Sequence, residues 1–198
     1  MARFEDRISA SEEILPRLGE YMGNSDAVVI GLPRGGMVTA ALLAEKLKLS
    51  LDFIVVKKVG APGNEEMAIG AVTENGEKYS DDRFIRAQKA ASERSSLYRR
   101  DYPVGDLKDK IAIIVDDGIA TGTTMLAAVA AARRRGARKV VVAVPVASSE
   151  AAEKIRRGAD ELICIETDSN MSAVGEYYGE FPQIEDDEVL TVLRTARR

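Results

Sequence analysis

Five short apolar runs recur along the chain with helix-forming segments between them, and this alternation constrains the fold most. The runs are rich in β-branched residues and cover 27–30, 53–56, 111–115, 140–144 and 162–165. Continuous apolar strands that alternate with helices are typical of a parallel sheet covered on both faces. The pattern therefore predicts an α/β fold with a doubly wound, mainly parallel sheet.

Helical segments are indicated between most of these runs. Leucine and alanine recur at helical spacing over 38–47, and the alanine-rich segment 124–135 ends in three arginines. Ser148 and Ser149 favour a helix start at the segment 148–157. Each of these helices follows a predicted strand, as a parallel sheet requires.

One long insertion, 59–102, interrupts the alternation. It begins with turn residues, and a hairpin is expected with its turn at Asn75-Gly76. A polar helix is expected over 81–100. A polar insertion of this length in an α/β domain is typical of an active-site cover or an interaction surface.

Composition narrows the class of protein. The chain has 198 residues, 45% hydrophobic and 30% charged, which is enough for one core, and a single domain is expected over 1–198. The formal net charge is −4 and no long stretch carries one sign, so a nucleic-acid partner is not expected. The N-terminus is charged, unlike a signal peptide, and no apolar run reaches the roughly 20 residues of a membrane span. The sequence therefore predicts a cytoplasmic protein without a membrane span. The sequence has no histidine, which excludes Ser-His and Cys-His nucleophilic catalysis.

The densest functional signal is the segment 111–124, IAIIVDDGIATGTT. A predicted buried strand is followed by two adjacent carboxylates, Asp116 and Asp117, then by a glycine-containing loop and the start of a helix. This order places the polar groups at the carboxyl end of a parallel strand, where open α/β sheets bind ligands. The free N–H groups of a helix start favour a phosphate, and carboxylates suit ribose hydroxyls. The segment therefore predicts a ribose 5-phosphate site, and it matches neither a Walker A motif nor a GxGxxG fingerprint.

The ten residues VDDGIATGTT at 115–124 closely resemble the signature with which type I phosphoribosyltransferases bind phosphoribosyl pyrophosphate (PRPP). The resemblance implies that Asp116 and Asp117 are the catalytic pair that grips the ribose. It also implies that the ribose 5-phosphate lies on the loop formed by Gly118, Ile119, Ala120, Thr121, Gly122, Thr123 and Thr124. Gly118 departs from the family pattern, which usually has an apolar residue there. The competing interpretation is a strand-ending turn followed by an ordinary helix cap.

Two further places match the family around pyrophosphate. The loop after the first strand contains Arg34, Gly35 and Gly36 and looks like the pyrophosphate loop of the family, which often has a non-proline cis peptide. Lys57 and Lys58 are expected at the carboxyl end of the second strand, where similar enzymes carry a basic pair that contacts pyrophosphate, and Lys57 is favoured over Lys58. The alternatives are an ordinary turn before a helix and two solvated lysines.

The resemblance covers residues 26–165 and implies roles for the remaining segments. The insertion 59–102 matches the flexible loop that folds over PRPP in the family. The tail 168–198 corresponds to the variable hood that binds the acceptor, and its last helix is expected to start near Asp186. The hood residues that are candidates to stack on an acceptor ring, with simple packing as the alternative, are Tyr177, Tyr178 and Phe181.

The reaction implied by the resemblance is transfer of the 5-phosphoribosyl group of PRPP to a nitrogenous acceptor, with a nucleobase expected, and release of pyrophosphate. Mg²⁺ is the implied cofactor, held mainly by the substrate and water with no direct protein ligand assigned. A homodimer is implied by resemblance alone. Ala120 stands where enzymes specific for hypoxanthine and guanine have an acidic residue, so 6-oxopurines rank below adenine-like or unrecognised acceptors.

Two other functions stay open. A PRPP- or nucleotide-sensing regulator would keep the fold with little transferase activity, although the intact Arg34-Gly35-Gly36 segment argues against a degraded pyrophosphate loop. A hydrolase or phosphorylase could send water or phosphate to ribose C1 at the same site. A haloacid-dehalogenase site is excluded, because that class separates its two aspartates by one residue and Asp116 and Asp117 are adjacent.

Overall fold

The structure is a computed structural model that describes residues 2–74, 81–100 and 102–196. Within these residues, helices and strands alternate along the chain except at β2, β3 and β4, which follow one another directly. The helices are α1 (Arg7–Ile14), α2 (Gly36–Leu47), α3 (Asp82–Arg99), α4 (Thr123–Arg134), α5 (Ser149–Gly158) and α6 (Asp186–Ala196). The strands are β1 (Ala27–Gly31), β2 (Ser50–Phe53), β3 (Val56–Ala61), β4 (Asn64–Thr73), β5 (Ile111–Val115), β6 (Lys139–Ser148) and β7 (Glu161–Asp168). Two 3₁₀ segments cover Leu15–Tyr21 and Val174–Tyr177.

Five strands form a parallel sheet in the order β2-β1-β5-β6-β7. Successive side chains of a strand point to opposite faces. Val29 and Ile113 pack in the cluster that includes α2 and α6, whereas Val28 and Ile114 pack in the cluster that includes α4 and α5. Because both faces are covered, the central strand β5 is apolar and buried at every position. The predicted doubly wound, mainly parallel α/β sheet is confirmed.

The predicted second strand was misplaced. The expectation covered 53–56, whereas β2 ends at Phe53 and β3 begins at Val56. The two residues between these strands are each 1% exposed, so the apolar run marks burial rather than strand pairing. Lys57 and Lys58 therefore lie in a separate two-stranded hairpin and not at the carboxyl end of a sheet strand.

The insertion contains this hairpin and the helix α3. β3 and β4 pair antiparallel, with Ala61 opposite Asn64, and Gly63 has a φ of +75° in the turn. Glycine adopts that backbone conformation at little cost. The predicted turn at Asn75-Gly76 lies outside the described residues. The polar helix is confirmed as α3, and none of the described helices combines the length and the apolar character needed to cross a membrane.

A buried ion cluster joins the insertion and the end of α4 to the edge of the sheet. Asp52, in β2, has a side chain 1% exposed that accepts hydrogen bonds from Arg99 and Arg135, each at 2.5 Å. Arg99 also donates to the carbonyl of Phe53 at 2.8 Å, and Arg135 donates to that of Gly105 at 2.8 Å. Both guanidinium groups thus have a carboxylate and a carbonyl as acceptors, which a buried charge requires.

The N-terminal segment and the C-terminal tail pair with each other. The Phe4 N–H donates to the carbonyl of Tyr177 at 2.8 Å, and the Gly179 N–H donates to the carbonyl of Phe4 at 2.9 Å. The rings of Phe4 and Tyr178 pack with their centroids 5.5 Å apart. This pairing carries α1 to the same edge of the sheet as the tail, an arrangement that the sequence did not indicate.

Candidate active site

The ends of two neighbouring strands bring the predicted site residues together. β1 pairs with β5, with Gly31 opposite Val115, so the loops that follow these strands leave the sheet side by side. The carboxyl ends of parallel strands are the usual place for a ligand in such a sheet. We refer to Asp116 and Asp117 as the Asp pair, and to residues 33–36 as the first loop.

The first loop fits closely against the Asp pair because it has no side chain at two positions. A Cβ at Gly35 would lie 2.2 Å from Asp117 Oδ2. A Cβ at Gly36 would lie 2.7 Å from Asp116 Oδ1. Only glycine allows the backbone to approach the carboxylates this closely.

Gly36→Ala is expected to strain the first loop and to destabilise the protein. The new Cβ would lie 2.9 Å from the carbonyl oxygen of Val115 and 3.0 Å from Asp116 Cα, backbone atoms that cannot rotate away. Overpacking of this kind costs about 1–3 kcal/mol of unfolding free energy. Urea denaturation measures the loss, with Gly19→Ala as the control because a Cβ at Gly19 would meet no atom within 4 Å. Equal midpoints for the two variants would contradict the described packing.

The loop after the Asp pair is anchored on β6 and leads into α4. Gly122, with a φ of +81°, caps the helix, which begins at Thr123. The Ile119 N–H donates to the carbonyl of Val146 at 2.9 Å, and the Ser148 hydroxyl donates to that of Ala120 at 2.6 Å. The loop borders a cavity of about 230 Å³, the loop cavity, which is lined by Lys58, Asp116, Asp117, Gly118, Ile119, Ala120, Thr121, Gly122, Thr124, Met125 and Val174. Of the predicted phosphate-loop residues, Thr123 is the one that does not line it.

The glycine at position 118 has a local explanation. A Cβ there would lie 2.5 Å from Val174 Cγ1 and 3.0 Å from Val146 Cγ1. Val174 belongs to the tail and lines the same cavity. The family usually has an apolar residue at this position. In this protein the side chain of Val174, from the tail, occupies the space next to Gly118 instead.

Arg7, at the start of α1, is a site residue that the sequence did not reveal. Its Nε donates to Asp117 Oδ2 at 2.9 Å, and its Nη1 donates to the carbonyl of Pro182 at 2.8 Å. The guanidinium carbon lies 3.8 Å from the centroid of the Phe181 ring. A capping box starts α1, but that local signal does not identify a partner 110 residues away.

The three aromatic residues predicted for the hood have different surroundings. Tyr178 is 6% exposed, its hydroxyl donates to the carbonyl of Asp117 at 2.5 Å, and its ring stacks on Phe181 at 4.8 Å between centroids. Tyr177 donates to Asp168 instead. Phe181 lines a second cavity of about 340 Å³, the hood cavity, which is bordered by Arg7, Arg34, Gly35, Asp117, Phe181, Pro182, Gln183 and Ile184. Among the three aromatic residues, Phe181 is the one that borders either cavity.

The basic residues expected near pyrophosphate lie at this edge with different partners. Arg34 follows a cis peptide bond from Pro33, and its Nη1 donates to Glu185 at 2.6 Å. Lys58 lines the loop cavity. Burial, together with the positive charges of nearby arginines, lowers the pKa of Lys57. Lys58 thus lies beside the Asp pair, whereas Lys57 feels the charge of Arg34 in the first loop, and the preference for Lys57 as the pyrophosphate contact stays a prediction.

The electrostatics of the Asp pair follow from its enclosure. Burial raises the pKa of the Asp116 carboxyl well above its ordinary value, the charge of Asp117 raises it further, and Arg7 and Lys58 oppose the rise. Burial also raises the pKa of Asp117, with Arg7 as the main opposing group. A ligand that donates hydroxyl protons or carries positive charge would stabilise the ionised pair. Enclosed carboxyls with shifted pKa values are typical of functional sites.

Comparison with known proteins gives consistent results. A family model described as a phosphoribosyl transferase domain matches residues 4–180. The crystal structure of TT1426 from Thermus thermophilus is 40% identical, with 96% of this chain and 97% of that chain covered and a TM-score of 0.83. A purine phosphoribosyltransferase from Pyrococcus horikoshii Ot3 is 23% identical, with 90% and 93% covered and a TM-score of 0.53, which is a likeness of fold alone.

The chain is also similar to a curated protein sequence. Rv0571c of Mycobacterium tuberculosis strain H37Rv, which carries the provisional name of a phosphoribosyl transferase, is 39% identical over 213 residues. The match covers 100% of this chain and 48% of that protein, so the chain spans about half the length of the curated relatives that it matches. The family model includes the Asp pair, both loops and Arg7 within its matched residues. The chain therefore belongs to the phosphoribosyl transferase domain family and has the type I fold.

Proposed function

We propose that this protein transfers the 5-phosphoribosyl group of PRPP to a nitrogenous acceptor, with a nucleobase as the first candidate, and releases pyrophosphate. One observation carries the proposal. Two loops suited to anions meet at the paired ends of β1 and β5, with the adjacent carboxylates of the Asp pair in contact with the first loop. Phosphate, ribose and pyrophosphate follow each other in PRPP, and the two loops flank the Asp pair in a matching order.

In the proposed complex, each part of PRPP has its own group of residues. The 5-phosphate would bind in the loop cavity at the N-terminus of α4, where unpaired N–H groups and the helix dipole favour an anion. The ribose hydroxyls would donate to the Asp pair. Pyrophosphate would lie against the first loop, with Arg34 and the lysines Lys57 and Lys58 as the basic groups. Arg34 would exchange Glu185 for pyrophosphate oxygens, because its Nη1 is bound to that carboxylate.

The mechanism that this arrangement supports is displacement of pyrophosphate from ribose C1 by a nitrogen of the acceptor. Positive charge develops on the ribose as the bond to pyrophosphate breaks, and the carboxylates of the Asp pair are suited to stabilise that charge. Arg34 and a lysine would neutralise the negative charge that accumulates on the departing pyrophosphate. When both substrates are bound in one site, the entropic cost of bringing them together is met on binding and no longer adds to the barrier of the chemical step.

Mg²⁺ is part of the proposal as the cofactor. Among the described side chains, those of residues 2–63, 69–74, 81–100 and 102–196, no group of three or more cysteine, aspartate or glutamate side chains is arranged to hold a metal ion. As the resemblance implies, the ion would be held mainly by pyrophosphate, the ribose hydroxyls and water, which offer the oxygen ligands that magnesium prefers. Its contribution when bound is to neutralise charge on the pyrophosphate.

The hood cavity is the proposed place of the acceptor. Its volume of about 340 Å³ and its border with Phe181 and Asp117 suit a small planar ring next to the ribose. Ala120 has no group that could transfer a proton to a ring nitrogen, which favours adenine-like or unrecognised acceptors over 6-oxopurines. The side chains of Tyr177 and Tyr178 have protein partners and do not border this cavity.

The proposal is tested by titrating the purified protein with PRPP and Mg²⁺ in a calorimeter, then assaying pyrophosphate release with adenine, guanine, hypoxanthine and uracil as acceptors. We expect binding of PRPP, and release of pyrophosphate with one acceptor of the panel. Binding without release for any acceptor would favour the PRPP- or nucleotide-sensing regulator. Absence of PRPP binding would refute the proposed function.

Several properties remain predictions from the sequence and its resemblance. They are a homodimer, a cytoplasmic location, the absence of a nucleic-acid partner, and a single domain over 1–198. Within that domain, the proposed parts are a core at 26–165, a flexible loop at 59–102 and a hood at 168–198. Gel filtration with light scattering tests the dimer, and limited proteolysis tests the boundaries.

A further inference from the structure

Arg7 contacts the Asp pair directly, and the motif around positions 115–124 assigns it no role. Its Nε donates to Asp117 Oδ2 at 2.9 Å, with the Arg7 side chain 8% exposed and that of Asp117 14% exposed. Water screens an enclosed ion pair much less than a surface pair. Arg7 therefore affects both the position of the Asp117 carboxylate and the charge that the Asp pair presents to a ligand.

Further contacts hold the guanidinium of Arg7 in place. The carbonyl of Pro182 accepts a hydrogen bond from Nη1 at 2.8 Å, and the ring of Phe181 lies under the guanidinium at 3.8 Å. A Cβ at Gly35 would lie 3.2 Å from Nη2, so the first loop abuts the same group. One side chain of α1 thus touches the Asp pair, the hood and the first loop.

The two carboxylates of the Asp pair are held differently. Asp117 is fixed at two points, since Oδ2 accepts from Arg7 and its carbonyl accepts from the hydroxyl of Tyr178. Asp116 Oδ1 accepts a backbone hydrogen bond from the N–H of Asp117 at 3.0 Å. Each carboxylate has two oxygens and about four acceptor sites, so both retain capacity for ribose hydroxyls. The orientation of Asp117 is the one that depends on a distant element.

We propose that Arg7 is a positioning residue for phosphoribosyl transfer, which holds the Asp117 carboxylate in the orientation that binds the ribose and ties the hood to the Asp pair. This inference rests on the proposed function, because it concerns the same PRPP site. A lysine would be an incomplete substitute. Its ammonium is a point charge without the planar fork that meets Asp117 and Pro182 together and without the flat face that lies on Phe181.

The charge of Arg7 also sets the pH range over which the Asp pair is ionised. Burial raises the pKa of both carboxyls, and Arg7 opposes that rise. The other charged or titratable groups that face the pair are Lys58 from β3, Tyr178 from the tail and Arg34 from the first loop. Loss of Arg7 would raise the pKa of the Asp pair further. PRPP binding needs ionised carboxylates. As the pH falls, a variant without Arg7 would therefore lose affinity for PRPP at a higher pH than the wild type does.

The experiment measures PRPP affinity in the presence of Mg²⁺ by calorimetry, in buffers from mildly acidic to mildly alkaline pH. Arg7→Gln is expected to bind PRPP about 10- to 100-fold more weakly than the wild type near neutral pH. Its loss of affinity on the acid side should also begin at a higher pH. Arg7→Lys keeps the charge, so we expect the wild-type pH dependence with an affinity roughly 3- to 10-fold lower.

Arg3→Gln is the matched control, because Arg3 lies on the same segment and pairs with Glu13 and Glu166 rather than with the Asp pair. Its affinity and pH dependence should equal those of the wild type.

Wild-type affinity in both Arg7 variants would overturn the inference. Weaker binding by Arg7→Gln with an unshifted pH dependence would also overturn it. If a thermal melt shows that Arg7→Gln does not fold, Arg7→Lys decides, and wild-type affinity in that variant overturns the inference. Absence of PRPP binding by the wild type would instead refute the proposed function itself.

Discussion

The double variant Asp116→Asn/Asp117→Asn is expected to bind PRPP about 2–5 kcal/mol more weakly than the wild type, a loss of tens- to thousands-fold in affinity. Charge-assisted hydrogen bonds from the ribose hydroxyls would be replaced by weaker bonds to neutral amides. The loss should be large because both residues are partly buried, with the Asp117 side chain 14% exposed, which limits replacement by water. Calorimetric titration with PRPP and Mg²⁺ gives the affinities, and a thermal melt verifies that the variant is folded.

The matched control for the Asp pair is Asp106→Asn/Asp109→Asn. It removes the same number of charges at the opposite, amino end of β5, where Asp109 has a φ of +59° that asparagine also tolerates. This control should bind PRPP as the wild type does. An Asp116→Asn/Asp117→Asn protein that also retained wild-type affinity would show that the ribose is held elsewhere.

Asp52→Asn is expected to lower the unfolding free energy by about 3 kcal/mol, the largest stability effect among the substitutions considered. The substitution removes the buried carboxylate that accepts hydrogen bonds from both Arg99 and Arg135. Two positive charges would then face a neutral amide in an enclosed position. The expected loss of unfolding free energy lies at the low end of the range known for breaking a buried ion pair. The reason is that the side chains of Arg99 and Arg135 are 12% and 18% exposed and can recruit water. Urea denaturation followed by circular dichroism measures the change.

Asp26→Asn serves as the control for Asp52→Asn. Asp26 also pairs with two basic side chains, Lys110 and Arg138, but its own side chain is 47% exposed. Exposed pairs contribute little, because water and salt screen them and ordering the side chains costs entropy. We expect a far smaller loss of stability for Asp26→Asn. Equal losses in the two variants would contradict the role assigned to burial at Asp52.

The central strands could be predicted from the sequence because burial on both faces imposes a continuous apolar run. β5 has the predicted bounds, and β1 and β6 contain their predicted runs. The edge strand β2 could not be placed in the same way. Ile54 and Val55 are as buried as strand residues, although they belong to neither β2 nor β3. An apolar run records burial, and hydrogen-bond partners depend on where neighbouring segments lie.

By itself, the sequence determined the doubly wound α/β class and the local order of strand, Asp pair, loop and helix, because periodicity, charge and glycine placement act between neighbouring residues. Only the tertiary structure decided what surrounds the Asp pair. Arg7 meets Asp117 across 110 residues, the Tyr178 hydroxyl reaches the carbonyl of Asp117 across 61, and Arg34 pairs with Glu185 across 151. Such contacts exist because the N-terminal segment and the tail pair with each other and pack over the ends of β1 and β5. No local pattern specifies that packing, since its free energy comes from surfaces that meet only in the folded chain.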